Sequence, residues 1–496
     1  MLTQNIKRHP KADALIGIMG AGFAGICMGI RLKQAGIHDF VIVEKAHDVG
    51  GTWRDNTYPG AACDVPSHLY CYSFEPNPDW SRSFAPQEEI QAYIRHCADK
   101  YGIRPHIRFN TEIVGARYED DTGLWEVRDT QGNTARVHIV ISAKGGLHIP
   151  ALPEIPGRDT FKGEAFHSAQ WRHDVNLNGR EVAVIGTGAS AIQVVPAIAG
   201  QVKSLTLFQR TPPWVMPKLD RPYLEVEKLA HRYLPWVSKL HRNQLYWQFE
   251  SRALGFVVDP RLMKLGETAA RAWLKRSIPD PALRAKVTPN YTMGCKRVLL
   301  SNDYYPALAR KNVSVVNEGV REIREHSVVT RDGVEHPADT LIYCTGFHVT
   351  DSLMGLSIQG RNGVDLRDAW KEGMQAYYGM TVHGFPNLFM LLGPNTGLGH
   401  NSIIFMIEAQ VNYIMSCLKR MLKKGYQQVE VRRAIQNAFV RDMEERSKHT
   451  VWKAGCASWY LDEHGHNTTI WPGFTVQYWM ETRRFDERDY KLTRSA

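Results

Sequence analysis

The chain has 496 residues, 43% hydrophobic and 23% charged, with a formal net charge of +10. That is ordinary globular composition, which excludes a disordered or collagen-like chain, and the length calls for more than one core. No block of five or more Lys/Arg is present, so no nucleic-acid partner is expected. Cysteines stand at 27, 63, 71, 97, 295, 344, 417 and 456, with no C-x-x-C pair, which reads as a set of reduced thiols rather than a disulfide framework or a zinc site. Lys7, Arg8 and Lys11 precede an apolar run from Ala14 to Ile30, as in a signal sequence. Glycines at turn spacing interrupt the run and no cleavage site follows, so a cytoplasmic chain without an integral membrane segment is expected.

Residues 14–19 read as an apolar strand, followed by Gly20, Gly22 and Gly25 at G-x-G-x-x-G spacing, a helical pattern to Gln34, a stop at Gly36 and a second strand at 40–43. Glu88 to Tyr101 has helical spacing, with Ile90, Ile94, Cys97 and Tyr101 on one face. The strand–turn–helix–strand pattern then recurs. Residues 182–185 lead into Gly186, Gly188 and Ala191, a helix to about Ala199, and a strand from Leu205 to Gln209. Residues 214–288 carry helical patterns broken by prolines, which suggests a helical insertion. Residues 403–422 form an amphipathic helix with Ile403, Ile407, Val411, Ile414, Leu418 and Met421 in its apolar stripe.

Glu44 lies 24 positions after Gly20, and Arg210 lies 24 positions after Gly186. Both fall where the second strand ends, at the place that meets a nucleotide ribose. Each glycine turn aims backbone N–H groups and a helix N-terminus at a pyrophosphate. Glu44 would accept hydrogen bonds from ribose hydroxyls and repel a 2′-phosphate, which suits FAD or NAD. Arg210 would attract that phosphate, with Thr211 adding a hydroxyl, which suits NADPH. The fold class expected is α/β, with two Rossmann-like dinucleotide-binding domains and a helical insertion. Two dinucleotides on one chain imply a flavoprotein reduced by NADPH. A disulfide-reductase acceptor is excluded, because Cys63 has no cysteine five residues away on either side. Oxygen is the acceptor expected instead.

Residues 50–64 carry Gly50, Gly51, Trp53, Tyr58, Pro59, Gly60 and Asp64, and residues 161–171 carry Phe161, Gly163, His167 and Trp171. These resemble the two fingerprints of the type I Baeyer–Villiger monooxygenases, flavin enzymes that insert oxygen beside a ketone carbonyl. The resemblance spans roughly residues 14–480. It departs from the family at Arg172, where Pro or Asp is usual, and at Lys144, where a small residue is usual. It implies FAD and NADPH as cofactors, a ketone and O2 as substrates, and an ester or lactone as product, through a flavin C4a-peroxide. By the same resemblance, Arg297 in Gly-Cys-Lys-Arg is the catalytic arginine, Asp64 its carboxylate partner, Lys296 a second 2′-phosphate cation, and Trp459 a loop residue that contacts NADP. Gly51 and Trp53 of the first fingerprint join the flavin site. His167 is expected as a hydrogen-bond anchor at the domain link, and the Leu392–Gly399 turn as the lead into a helix facing the flavin. The expected layout is FAD-binding 1–148, NADP-binding 149–213, helical insertion 214–291, NADP-binding 292–341 and FAD-binding 342–496. A heteroatom hydroxylase acting on amines or sulfides, or a flavin redox sensor, are the alternatives. Arg297 favours the ketone, because a fixed cation stabilises a nucleophilic peroxide and the negative intermediate formed when it attacks a carbonyl.

Overall fold

The chain builds two parallel-rich sheets, here in a computed structural model that describes residues 11–349 and 356–494, apart from 457, 459 and 463. The larger sheet has eight strands, in the order Ser357–Gln359, Ile113–Glu119, Leu124–Asp129, Thr134–Ser142, Ala14–Met19, Phe40–Val43 and Ile107–Arg108, with Leu388–Met390 also on Thr134–Ser142. Ala14–Met19 pairs in parallel with Phe40–Val43 on one side and Thr134–Ser142 on the other. All six of its residues are buried, which explains a continuous apolar run in place of an alternating one.

The second sheet has five parallel strands, in the order Val313–Val316, Ser204–Phe208, Glu181–Ile185, Thr340–Tyr343 and Glu164–His167. The expected boundary between 341 and 342 falls inside Thr340–Tyr343, so the chain leaves this sheet slightly later than the sequence suggests. It rejoins the larger sheet at Ser357–Gln359. Each sheet is central to its own buried cluster, one holding Ile16, Ile18 and Ile42, the other Val182, Val184 and Leu207.

Between the second sheet's strands lies the helical segment: Glu225–Tyr233, Pro235–Glu250, a π turn at Leu254–Val258, Met263–Ser277 and Pro281–Lys286. The helix expected at 88–101 runs Gln87–Lys100 and buries Ile90, Ile94 and Cys97. The helix expected at 403–422 runs Ile403–Lys424, capped by the Ser402 hydroxyl at its start and by left-handed Gly425 at its end. Among the described residues, no helix is long and apolar enough to cross a membrane.

Candidate active site

The two glycine turns are built alike. Gly20 follows the first strand at φ +104°, and Gly186 follows its counterpart at φ +110°. A side chain at Gly20 would meet the Ala143 carbonyl oxygen at 2.7 Å, and one at Gly186 would strike the Cys344 carbonyl. Both positions therefore need glycine for conformation and for space. Gly22 is the N-cap of the helix Phe23–Gln34. Gly25 packs this helix on the strand end, where a methyl group would collide with the Gly20 carbonyl oxygen. Gly188 faces open space, with nothing within 4 Å of a methyl group placed there, and buried Ala191 starts the helix Ala191–Ile198. These are cradles that a pyrophosphate fits: open on the ligand side, closed on the sheet side, with helix N–H groups pointing in.

Glu44 is buried at the end of Phe40–Val43. Its Oε2 accepts from the Ala21 N–H at 2.8 Å, and its Oε1 accepts from the Arg54 Nη1–H at 2.9 Å. The carboxylate is thus fixed beside the first glycine turn. Gly51 heads the short helix Thr52–Asp55 and lies against Gly22, while Trp53 donates its indole N–H to the Tyr70 hydroxyl at 3.0 Å. The first fingerprint also reaches the second nucleotide site. The Tyr58 hydroxyl donates to Gln193 Oε1 at 3.0 Å, and Gln193 Nε2–H donates to the Ala62 carbonyl at 2.9 Å. Gln193 lies on the Ala191–Ile198 helix, so residues 58–62 clasp the two halves of the molecule together.

That clasp positions Asp64. Arg297 donates Nε–H at 3.0 Å and Nη2–H at 2.7 Å to Asp64 Oδ2, across 233 residues of sequence. Burial pushes the Asp64 carboxyl up, but the Arg297 charge and its hydrogen bonds outweigh burial and hold it below the usual carboxylate range. The Asp64 charge raises Arg297 above its ordinary value despite burial. Both side chains stay partly open, 37% for Arg297 and 26% for Asp64, as a site that must admit a substrate requires. Two cations that the sequence reading did not single out share this neighbourhood. Half-buried Lys218 is lowered by loss of solvent, against the pull of Asp220, Cys63 and Asp64, and Arg252, exposed at the surface, interacts with the Asp64 charge. The buried Tyr460 ring also lies near enough to raise Arg297. No local motif marks these three, since they converge only in the folded chain.

Arg210 is exposed at the end of Ser204–Phe208, and the Thr211 carbonyl accepts from the Thr187 hydroxyl at 3.1 Å. Lys296 lies 5.1 Å over the Tyr291 ring. Burial, then repulsion from Arg210, pulls its ammonium below the usual lysine value. The two cations predicted for one 2′-phosphate therefore lie close enough to repel each other. Trp459 lies outside the described residues. Nearby Cys456 corrects the expectation of eight reduced thiols, because it forms a disulfide with Cys295, 161 residues away in sequence. The remaining six cysteines are free and buried. His167 caps the turn Ser168–Gln170, its Nδ1 accepting from the Ala169 N–H at 3.1 Å, and its ring meets Phe347 edge-on. The departing Arg172 is a surface residue paired with Asp174 and Glu164. Lys144 is half-buried and lowered by burial against the pull of Glu112.

A family profile described as flavin-binding monooxygenase-like matches residues 13–253. Over 483 residues, 97% of this chain and 93% of the relative, the sequence is 48% identical to a Baeyer–Villiger monooxygenase of Streptomyces coelicolor. A Baeyer–Villiger monooxygenase of Pseudomonas aeruginosa is likewise 48% identical, over 98% of this chain and 92% of its own. The chain belongs to the Baeyer–Villiger monooxygenase family. Solved structures agree. Oxidized steroid monooxygenase bound to NADP matches with a TM-score of 0.87 at 28% identity, covering 97% of this chain and all of its own. Cyclohexanone monooxygenase from Rhodococcus bound to NADP+ matches at 0.85 and 29%, covering 97% of this chain and 99% of its own. This Baeyer–Villiger monooxygenase is an oxidoreductase that works with FAD and NADPH, and its two Rossmann-like domains are the sheets described above.

Proposed function

We propose that the chain inserts one oxygen atom of O2 beside a ketone carbonyl, giving an ester or lactone, with Arg297 and Asp64 at the reaction centre. The observation that carries this reading is the Arg297–Asp64 pair, formed where the first fingerprint meets the Gly294–Arg297 segment and left partly open. When bound, FAD and NADPH supply the reducing equivalents and the activated oxygen. Gly20, Gly22 and Gly25 with the following helix N-terminus would hold the FAD pyrophosphate, and Glu44 would accept from its ribose. Gly51 and Trp53 would line the flavin side. Gly186, Gly188 and Ala191 would hold the NADPH pyrophosphate, and Arg210, Thr211 and Lys296 its 2′-phosphate. Trp459 would contact the same cofactor.

Arg297 keeps its proton at any working pH, because the Asp64 carboxylate stabilises the charged form. Both of its bonded N–H groups go to one oxygen, Asp64 Oδ2, which fixes the plane of the guanidinium and leaves Nη1 outside that contact. A fixed cation there lowers the energy of negative charge developing on the substrate carbonyl oxygen. Asp64 orients the guanidinium without taking a proton. The clasp between Tyr58, Ala62 and Gln193 couples the segment that carries Asp64 to the NADPH-binding half. The test is product analysis across linear, cyclic and aryl ketones with NADPH. Ester or lactone formed in proportion to NADPH consumed supports the reading. Oxidation of amines or sulfides with no ester from any ketone overturns it.

A further inference from the structure

Away from the nucleotide sites, three histidines from separate segments meet in the interior. His68 follows the first fingerprint, His231 lies on the helix Glu225–Tyr233, and His241 lies on the helix Pro235–Glu250. One ring nitrogen of each lies within 4.8 Å of those of the other two. His68 and His231 are buried and His241 is half-buried. We propose that His68, His231 and His241 form a structural binding site for one zinc ion, pinning the helical insertion to the loop that carries Asp64.

The arrangement of nitrogens supports this. His231 Nδ1 lies 3.0 Å from the Ser238 hydroxyl oxygen, and that hydroxyl donates to the His231 main-chain carbonyl at 3.1 Å. With its proton committed there, Ser238 can only accept from His231, so His231 carries its proton on Nδ1 and turns the Nε2 lone pair inward. A zinc-binding histidine is held in this way, its second ring nitrogen donating to a fixed acceptor. His231 Nε2 is 3.3 Å from His241 Nδ1. Two nitrogens bound to one tetrahedral zinc at the usual Zn–N length are also about 3.3 Å apart. His68 Nε2 is buried with no hydrogen-bond partner, an uncommon state for a polar atom and one that an ion would relieve. The His68 and His231 rings stack at 4.0 Å, so His68 must rotate its edge toward the ion on binding.

The electrostatics agree. Zinc takes histidine as the neutral imidazole, through one ring nitrogen of each side chain. Two guanidinium groups lie near the cluster, and both are committed elsewhere: Arg221 pairs with Glu227 at 2.6 Å, and Arg242 binds main-chain carbonyls. Its Nη1 donates to the carbonyls of His68 and Cys71 at 2.9 and 3.0 Å, and its Nη2 lies 3.6 Å from Glu408 Oε2. Three neutral nitrogen donors suit zinc better than magnesium or calcium, which take oxygen ligands.

The test uses the untagged, FAD-loaded protein, stripped with a chelator and dialysed against zinc sulfate, with elemental analysis for bound metal. The wild type is expected to hold one zinc per chain, and its melting temperature is expected to rise with zinc. His68→Ala, and separately His241→Gln at the half-exposed position, are expected to weaken binding by at least about 10-fold and to abolish the zinc-dependent rise. Circular dichroism and flavin content verify that each variant is folded; if one is not, the other carries the comparison. Wild-type protein that takes up no zinc overturns the proposal, as does zinc binding unchanged in a folded variant.

Discussion

Replacing Arg210 with alanine should weaken the enzyme's preference for NADPH while leaving its chemistry in place. Arg210 and Lys296 come from distant segments, yet Arg210 helps hold the Lys296 ammonium below its ordinary value. Two cations held close enough to repel each other are stabilised by a shared anion, and the 2′-phosphate is the group that distinguishes NADPH from NADH. A charge-assisted hydrogen bond contributes about 1.5–3 kcal/mol. Arg210 is exposed, so the lower end applies to it, which is about 10-fold in kcat/KM. Lys296 is half-buried and should contribute more, up to about 100-fold. The assay is steady-state kcat/KM for NADPH and NADH in the wild type, Arg210→Ala, Lys296→Ala and the double variant. The expected result is a fall for NADPH with NADH nearly unchanged. An equal fall for both cofactors would refute the assignment, because it would mean that the side chains support the fold and not the phosphate.

Other outcomes follow from the same geometry. KM for NADPH should rise at alkaline pH below the ordinary lysine value of 10.5, because the depressed Lys296 loses its charge as pH rises through its lowered pKa; Lys296→Arg should move that limb upward. Gly25→Val should yield protein without flavin, or no folded protein, since even one added carbon strikes the Gly20 carbonyl; the flavin-to-protein absorbance ratio measures this. Alkylation of the unfolded, unreduced chain should label six cysteines, and all eight after reduction; eight labels without reductant would remove the Cys295–Cys456 bond from the account.

The nucleotide-binding parts of the fold are legible because they are local. A strand, a glycine turn, a helix and a strand follow one another within about thirty residues, and the φ values of Gly20 and Gly186 are what such turns require. The Arg297–Asp64 pair was legible only through the family resemblance, since nothing in the spacing of two residues 233 apart says that they touch. The Cys295–Cys456 bond and the His68, His231 and His241 cluster carried no resemblance and no local pattern, so both appear only once distant segments pack. Lys218 and Arg252 were unreadable for the same reason: their significance lies in being near Asp64, and that nearness exists only in the packed chain. The 341/342 boundary missed its place because Thr340–Tyr343 is uniformly buried, and its sheet membership is set by Glu181–Ile185 and Glu164–His167 beside it.

The central claim is that Arg297, oriented by Asp64, serves oxygen insertion and not flavin reduction. The most direct measurement compares Arg297→Ala with the wild type in the two half-reactions: anaerobic flavin reduction by NADPH in a stopped-flow spectrometer, and ester or lactone formed per NADPH in air. Flavin reduction should survive, slowed by less than about 10-fold, because it depends on the placement of the two cofactors. Ester formation should fall by about 10²–10³, the usual cost of removing one preorganised charge-stabilising donor, with the electrons leaving as hydrogen peroxide. Asp64→Ala should follow in the same direction, less completely, since the cation remains while its orientation is lost. A near-normal ester yield per NADPH from Arg297→Ala would contradict the account.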